Sequence, residues 1–161
     1  MNYLSNLSQK VIHYDLKPSN IIFKDGVLKI IDFGLCKQMD TEESRIELTS
    51  AGVGTYWYLP PETFQIETVD ISQKVDVWSA GVIFYELIYG RRPFGNGMSQ
   101  QKIYQKNAIV NEAKELKLPD KTLKGARVSI LAKRFIEKCL AYDPDDRFTP
   151  AEALTHDLFK L

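Results

Sequence analysis

The most informative segment of the chain reads His13-Tyr14-Asp15-Leu16-Lys17-Pro18-Ser19-Asn20, and Asp32-Phe33-Gly34 follows it after two short apolar runs. Asp15 and Lys17 are two positions apart, so in an extended backbone their side chains point the same way and can meet one substrate oxygen. The carboxylate can orient and deprotonate a hydroxyl group, while the ammonium group offsets the negative charge of a phosphoryl group. Each motif alone is more often a turn or a surface pair, but together they indicate phosphoryl transfer to a hydroxyl.

Two candidate metal ligands flank a predicted β-hairpin. The runs Ile21-Ile22-Phe23 and Leu28-Lys29-Ile30-Ile31 enclose an Asp25-Gly26 pair, which is typical of a tight turn between strands. Asn20 precedes the first strand and Asp32 follows the second, so the hairpin brings both residues to one end. Their oxygens are hard ligands that suit Mg²⁺, which also binds nucleotide phosphates.

The composition is that of an ordinary globular domain. Apolar residues make up 44% of the 161 residues, and 21 basic residues balance 21 acidic ones. We therefore expect neither direct nucleic-acid binding nor membrane association. Cys36 and Cys139 belong to no CxxC pair, which gives no indication of a disulfide framework or a zinc site and favours a reducing compartment, cytosol or nucleus.

Helical patterns dominate the rest of the chain, after a segment without periodicity from Leu35 to Pro61. A buried helix is predicted from Ser72, as its N-cap, to Gly90. Further helical spacing covers 99–109 and about 126–142. Thr149, Pro150 and Glu152 form a capping box at the start of the last helix. The pattern predicts a compact, mainly helical unit with a small β-ribbon at its entrance.

Four features follow one another in a fixed order along the chain: HxDLKPxN, a β-ribbon, DFG, and a segment from Gly54-Thr55 to Pro61-Glu62. On these features the chain resembles the C-terminal lobe of a eukaryotic protein kinase over residues 13–159. The resemblance implies an α+β family fold, of which this chain is the mainly α-helical C-lobe with a small β-hairpin and no N-lobe. It divides residues 1–161 into a catalytic loop (13–20), an activation segment (32–62) and a helical subdomain (63–161).

The same resemblance implies roles for individual residues. Asp15 is the expected catalytic base, and Lys17 and Thr55 are expected to contact the base and the transferred phosphate, with Lys17 typical of serine/threonine kinases. Lys17, Asn20 and Asp32 are expected to bind the ATP cofactor, and Asn20 and Asp32 to hold Mg²⁺. Structural roles are expected for His13, Phe33, Gly34, Glu62, Asp76 and Arg147. Among these, Glu62 should form a buried ion pair with Arg147, and Asp76 should accept backbone hydrogen bonds from the catalytic loop.

A narrower resemblance, to Tousled-like kinases, rests on segments 48–62, 74–79, 90–95 and 139–142 and on Tyr14. It implies a nuclear enzyme that acts on protein substrates, among them histone chaperones. Most kinases have arginine where Tyr14 stands, and that arginine commonly gathers an activation-loop phosphate. We therefore expect activity to depend only weakly on phosphorylation of Ser44, Thr49 and Ser50.

Two expected parts of a kinase site are not found in the sequence: a GxGxxG loop, and a strand lysine with a helical glutamate partner ahead of His13. We therefore expect the chain alone, without the missing kinase N-lobe as its partner, to be nearly inactive. Three interpretations stay open: part of a working serine/threonine kinase, a non-catalytic protein-binding module, and an expressed relic without activity.

Overall fold

The structure is a computed structural model, which describes residues 10–39, 46–48, 53–65 and 69–160. The predicted hairpin is confirmed: β2 (Ile21–Lys24) pairs antiparallel with β3 (Val27–Ile30), and Lys24 lies opposite Val27. The turn residues Asp25 and Gly26 have φ of 54° and 74°. Positive φ at both central positions is the geometry that matches the right-handed twist of a two-residue hairpin.

Two further antiparallel sheets of two strands each were not predicted. Strand β1 (Lys10–Ile12) pairs with β4 (Lys37–Met39), and β5 (Ile46–Leu48) pairs with β6 (Val69–Ile71). Three-residue strands are too short to show an alternation of apolar and polar residues. Each of the two sheets also pairs segments that lie far apart in sequence. The expected fold class, a mainly α-helical unit with one small β-hairpin, is therefore wrong.

Helix α1 (Lys74–Tyr89) lies at the centre of the described chain. It ends at Gly90, which has φ of 68° and donates its backbone N–H to the carbonyl of Glu86, as the sequence predicts for a glycine after a helix. Its start differs slightly from the prediction, because Gln73 stands at the N-cap and the Oγ of Ser72 accepts from the N–H of Lys74 at 3.3 Å.

The remaining helices are shorter than their sequence patterns suggest. The predicted helix over 99–109 is split into α2 (Gln100–Gln105) and α3 (Ala108–Glu112), because Asn107 adopts a left-handed conformation with φ of 46°. Helix α4 (Ile130–Cys139) begins only after Ser129, whose side chain caps it. Helix α5 (Pro150–Leu154) has the predicted capping box. Short 3-10 turns lie at Pro18–Asn20, Tyr56–Tyr58, Pro61–Phe64, Ala113–Glu115 and Asp157–Phe159.

Two apolar clusters pack against helix α1, and the smaller one holds the expected catalytic loop. The larger surrounds Trp78 and Val82 and includes residues from α2, α3 and α4. The smaller joins the strands and loops around the catalytic segment to α1 and comprises Ile12, Tyr14, Met39, Leu59, Ile71 and Val75. Burial of these side chains stabilises the arrangement by about 1.5–3 kcal/mol for each large apolar residue. The loop from His13 to Asn20 is thereby held beside the first turn of α1.

Candidate active site

The backbone of the catalytic loop is held by one buried carboxylate. Asp76, in the first turn of α1, accepts the backbone N–H of His13 at 2.7 Å and that of Tyr14 at 2.9 Å. Burial raises the pKa of Asp76 to about 6, although these two hydrogen bonds act in the opposite direction. Tyr14 has φ of 69°, which is uncommon for an aromatic residue and costs energy. The two hydrogen bonds stabilise this strained turn directly before Asp15.

The three expected catalytic side chains form a closed polar triangle. The Lys17 Nζ lies 2.6 Å from the Asp15 Oδ2 and donates to the Thr55 Oγ1 at 3.1 Å, and that hydroxyl donates to the Asp15 Oδ1 at 2.8 Å. Lys17 is extended, with φ of −156° and ψ of 162°, so it shares a face with Asp15 as the sequence spacing predicts. Thr55 comes from a segment about 40 residues further along the chain. The triangle thus joins the catalytic loop to the activation segment.

Asn20 also contacts Asp15, and the sequence pattern does not predict this contact. Its side-chain nitrogen donates to the backbone carbonyl of Asp15 at 2.9 Å and to the Asp15 Oδ2 at 3.2 Å. Since these bonds use the nitrogen, they fix the orientation of the amide and leave its oxygen as an acceptor. The 3-10 turn at Pro18–Asn20 makes this contact, and a separation of five residues gives no simple periodic signal in the sequence.

Asp32 lies at the far end of the hairpin from the Asp25-Gly26 turn. The backbone N–H of Ile31 donates to the carbonyl of Asn20 at 2.9 Å, so the residue before Asp32 is bonded to the other expected metal ligand. Asp32 is exposed, has φ of 63°, and its Oδ1 accepts the backbone N–H of Gly34 at 3.2 Å. Within the described part of the chain, no hydrogen bond joins its side chain to Asp15, Lys17 or Thr55.

His13 connects the catalytic loop to the segment around Asp32. Its Nδ1 accepts the backbone N–H of Asp15 at 3.3 Å, and its Nε2 lies 3.2 Å from the carbonyl oxygen of Ile31. This pair of contacts assigns the proton to Nε2. The ring of Phe33 packs against His13 with a centroid distance of 5.0 Å. His13 is fully buried and takes part in packing rather than facing the polar triangle.

The end of the activation segment is tied to the helical part by a buried ion pair. Arg147 donates from both terminal nitrogens to the carboxylate of Glu62, at 2.8 and 3.1 Å. It also donates to the carbonyls of Ala141 and Lys74 and lies over the ring of Trp78. All five N–H groups of the guanidinium group are therefore used: two hold Glu62, and three bind the backbone carbonyls of Ala141 and Lys74 in the helical part.

The side chain of Tyr14 is buried, although its position in the catalytic loop gives no sign of this in the sequence. Its side chain is 1% exposed and packs in the smaller apolar cluster, with the ammonium group of Lys37 5.2 Å from the ring centre. Its hydroxyl has no hydrogen-bond partner among the described residues, and burial raises the pKa of Tyr14 to about 12.

The residues expected to be dispensable phosphorylation sites, Ser44, Thr49 and Ser50, lie outside the described residues.

The donor chemistry at this site fits a magnesium ion. Asn20 offers an amide oxygen and Asp32 an exposed carboxylate, and Mg²⁺ usually takes one or two protein oxygens together with waters and substrate phosphates. A group of three or more His, Cys, Asp or Glu side chains able to hold a metal is not found in residues 10–39, 46–48, 53–65 and 69–160.

In the same ranges, no helix is both long and apolar enough to cross a membrane.

Comparison with known proteins gives a consistent family. The model of the protein kinase domain matches residues 1–159. The chain is 49% identical over 166 residues to serine/threonine-protein kinase tousled-like 1 of Caenorhabditis elegans, covering 98% of this chain and 17% of that protein. It is 50% identical over 157 residues to serine/threonine-protein kinase tousled-like 1 of Homo sapiens, covering 92% of this chain and 20% of that protein. It is 48% identical over 149 residues to serine/threonine-protein kinase TOUSLED of Arabidopsis thaliana, covering 90% of this chain and 21% of that protein. The chain spans about a fifth of the length of these relatives.

The extent of the match corrects one expectation. The sequence pattern predicts a C-lobe with the N-lobe absent, yet the kinase-domain match begins at residue 1, and the first described elements are strands. The assignment to a C-lobe alone is therefore not kept.

Proposed function

The chain belongs to the protein kinase family, and we propose that it supplies the catalytic residues of a Tousled-like serine/threonine kinase, which transfers the γ-phosphate of ATP to a serine or threonine hydroxyl of a protein. The observation that supports this most is the polar triangle of Asp15, Lys17 and Thr55. It places a proton acceptor, a cation and a positioning hydroxyl within hydrogen-bond distance of one another.

Asp15 is the proposed base. Its carboxylate accepts hydrogen bonds from Lys17, Thr55 and Asn20, so its orientation is fixed before a substrate arrives. The incoming hydroxyl would replace one of these donors and give its proton to Asp15. General-base assistance of this kind contributes roughly 10²–10⁴ in rate.

Lys17 is proposed to change partners during the reaction. Its ammonium group, which now contacts Asp15 and Thr55, can also approach the transferred phosphoryl group and offset its charge. Thr55 limits the movement of both side chains. Because Glu62 and Arg147 hold the segment that bears Thr55, loss of that ion pair should disturb the triangle as well as stability.

Asn20 and Asp32 are the residues proposed to hold magnesium, through the free amide oxygen and the exposed carboxylate. The bound ion would neutralise negative charge on the nucleotide phosphates. The hydrogen bond from Asn20 to the backbone carbonyl of Asp15 would keep the metal ligand in place even when the Asp15 side chain is changed.

The finer expectations from the resemblance are part of this proposal: a nuclear compartment, histone chaperones among the substrates, and weak dependence on activation-loop phosphorylation. The last is supported by the position of Tyr14, whose ring packs with Met39 and Leu59 of the activation segment. Packing of this kind would hold the parts of the segment around Met39 and Leu59 in place without a phosphate.

The test is phosphate transfer by the protein expressed from its own gene. With labelled ATP and peptides that differ only in a serine, threonine or tyrosine acceptor, we expect transfer to serine and threonine and loss of transfer on chelation of magnesium. Lys17→Met should reduce transfer strongly, whereas Lys106→Met, at an exposed lysine, should not. Transfer to tyrosine alone, or equal activity of both variants, would contradict the proposal.

A further inference from the structure

A short turn before α4 concentrates positive charge, although acidic and basic residues are equal in number over the whole chain. We call residues 120–128 the basic turn; they read Asp120-Lys121-Thr122-Leu123-Lys124-Gly125-Ala126-Arg127-Val128. Three cations in this turn face one carboxylate. That carboxylate, of Asp120, already pairs with Lys133 from α4, and the pairing lowers its pKa. The charge of the turn is therefore not balanced locally.

The backbone of the basic turn has a defined structure. Lys121 and Arg127 lie directly opposite each other in an antiparallel bridge. The N–H of Val128 donates to the carbonyl of Asp120 at 2.9 Å, and that of Thr122 donates to the carbonyl of Ala126 at 2.9 Å. Like charges opposite each other in such a bridge are unfavourable, so folding alone does not explain this pair.

The three cations of the basic turn are free to bind a ligand. Lys121, Lys124 and Arg127 are exposed, and none of them takes part in an ion pair with any residue that the structure describes. Asp120 attracts Arg127 but already pairs with Lys133, so among the described residues little competes with an external anion for these cations.

Apolar surface lies beside these cations. A surface cavity of about 390 Å³ is lined by residues of the basic turn and of α4: Asp120, Lys121, Arg127, Val128, Ile130 and Lys133. Ile130 is 69% exposed and Leu123 is 75% exposed. The surface thus combines exposed cations with large apolar side chains. A peptide segment that carries both carboxylates and an apolar side chain would be complementary to it.

We propose that the basic turn, with Leu123 and Ile130, binds an acidic segment of a protein partner that contains a large apolar residue. The carboxylates of the segment would pair with Lys121, Lys124 and Arg127, and its apolar side chain would cover Ile130. A nucleic acid fits less well, because three cations on a single turn contact few phosphates and the exposed apolar groups have no role against a phosphodiester backbone. This proposal does not depend on the catalytic site.

Binding can be measured by fluorescence anisotropy with a labelled peptide of glutamates around a central leucine. Lys121→Glu/Arg127→Glu should weaken binding at least about tenfold, and the affinity of the unaltered protein should fall as salt is raised. The matched control is Lys106→Glu/Lys114→Glu, which makes the same change of net charge at two exposed lysines outside the turn. Its affinity should stay within about twofold of the unaltered protein.

A second measurement requires no variant. Titration of the ¹⁵N-labelled protein with the peptide should shift amide signals of residues 120–133 and leave those of the catalytic loop unchanged. Equal weakening by the control variant, signal shifts elsewhere, or undiminished binding to a peptide with glutamine for glutamate would overturn the proposal. So would tighter binding to a DNA oligonucleotide or to anionic vesicles, each of which would assign the turn to a different partner.

Discussion

Replacement of Arg147 by methionine should greatly destabilise the chain, because it leaves a buried carboxylate without its partner. The Arg147 side chain is 0% exposed and that of Glu62 is 8% exposed. The guanidinium group donates twice to Glu62, twice to the carbonyl of Ala141 and once to that of Lys74. Methionine fills similar space but supplies none of these donors.

The size of the effect follows from this geometry. Loss of one partner from a buried ion pair costs about 3–5 kcal/mol, a large part of the roughly 5–15 kcal/mol that stabilises a typical domain. Arg147→Lys should recover only part of the loss, since lysine keeps the charge but lacks the planar fork. In Glu62→Gln/Arg147→Met, the loss should be smaller than the sum of the two single losses, because the unpaired charge is gone.

Urea unfolding followed by tryptophan fluorescence is a suitable assay, since Trp78 lies 4.9 Å from the guanidinium carbon of Arg147. Lys160→Met, which breaks the exposed pair with Asp157, is the matched control and should leave the unfolding midpoint unchanged. A loss below about 1 kcal/mol for Arg147→Met, or strict additivity in the double variant, would refute the reasoning.

Three further predictions concern stability. Burial raises the pKa of Asp76 to about 6 from 3.8, so between these values the folded state keeps a proton that the unfolded state has released. The free energy of unfolding should therefore fall by roughly 2 kcal/mol as pH rises from about 4 to about 6. Asp76→Asn should abolish this slope in urea titrations, and an unchanged slope would assign it to another group. Tyr14→Phe should leave the urea midpoint unchanged or raise it, because the buried hydroxyl has no described partner; a clear drop would reveal a hydrogen bond. Gly81→Ala should cost about 1–3 kcal/mol, since the new Cβ would lie 2.6 Å from that of Cys139, and a neutral result in thermal unfolding would show that α1 and α4 can separate easily.

Much of the local structure could be predicted from the sequence where the signal is local. The Asp25-Gly26 turn specifies the hairpin, and Thr149 with Glu152 specifies the start of α5. The pairings β1–β4 and β5–β6 could not be predicted, because three-residue strands have no periodicity and their partners are distant in sequence. Asn107 splits the helix over 99–109 through a left-handed conformation that asparagine tolerates but does not require.

For the candidate site, the sequence motifs indicated which residues to consider, but not all of their contacts. The spacing of Asp15 and Lys17 predicts a shared face, and the two side chains are 2.6 Å apart. The contact of Asn20 with Asp15 and the strained backbone of Tyr14 depend on how the loop packs against Asp76, which local patterns do not encode. The catalytic and metal-binding roles stay predictions.

The most direct test of the proposed chemistry is Asp15→Asn in the protein expressed from its own gene, with phosphate transfer and ATP affinity measured on the same sample. We expect transfer to fall at least about a hundredfold while ATP affinity changes by less than about twofold, because Asp15 is proposed to act on the hydroxyl and not on the nucleotide. Asp25→Asn, in the hairpin turn, is the control and should change neither quantity. Undiminished transfer, or a loss of ATP affinity as large as the loss of transfer, would contradict the account.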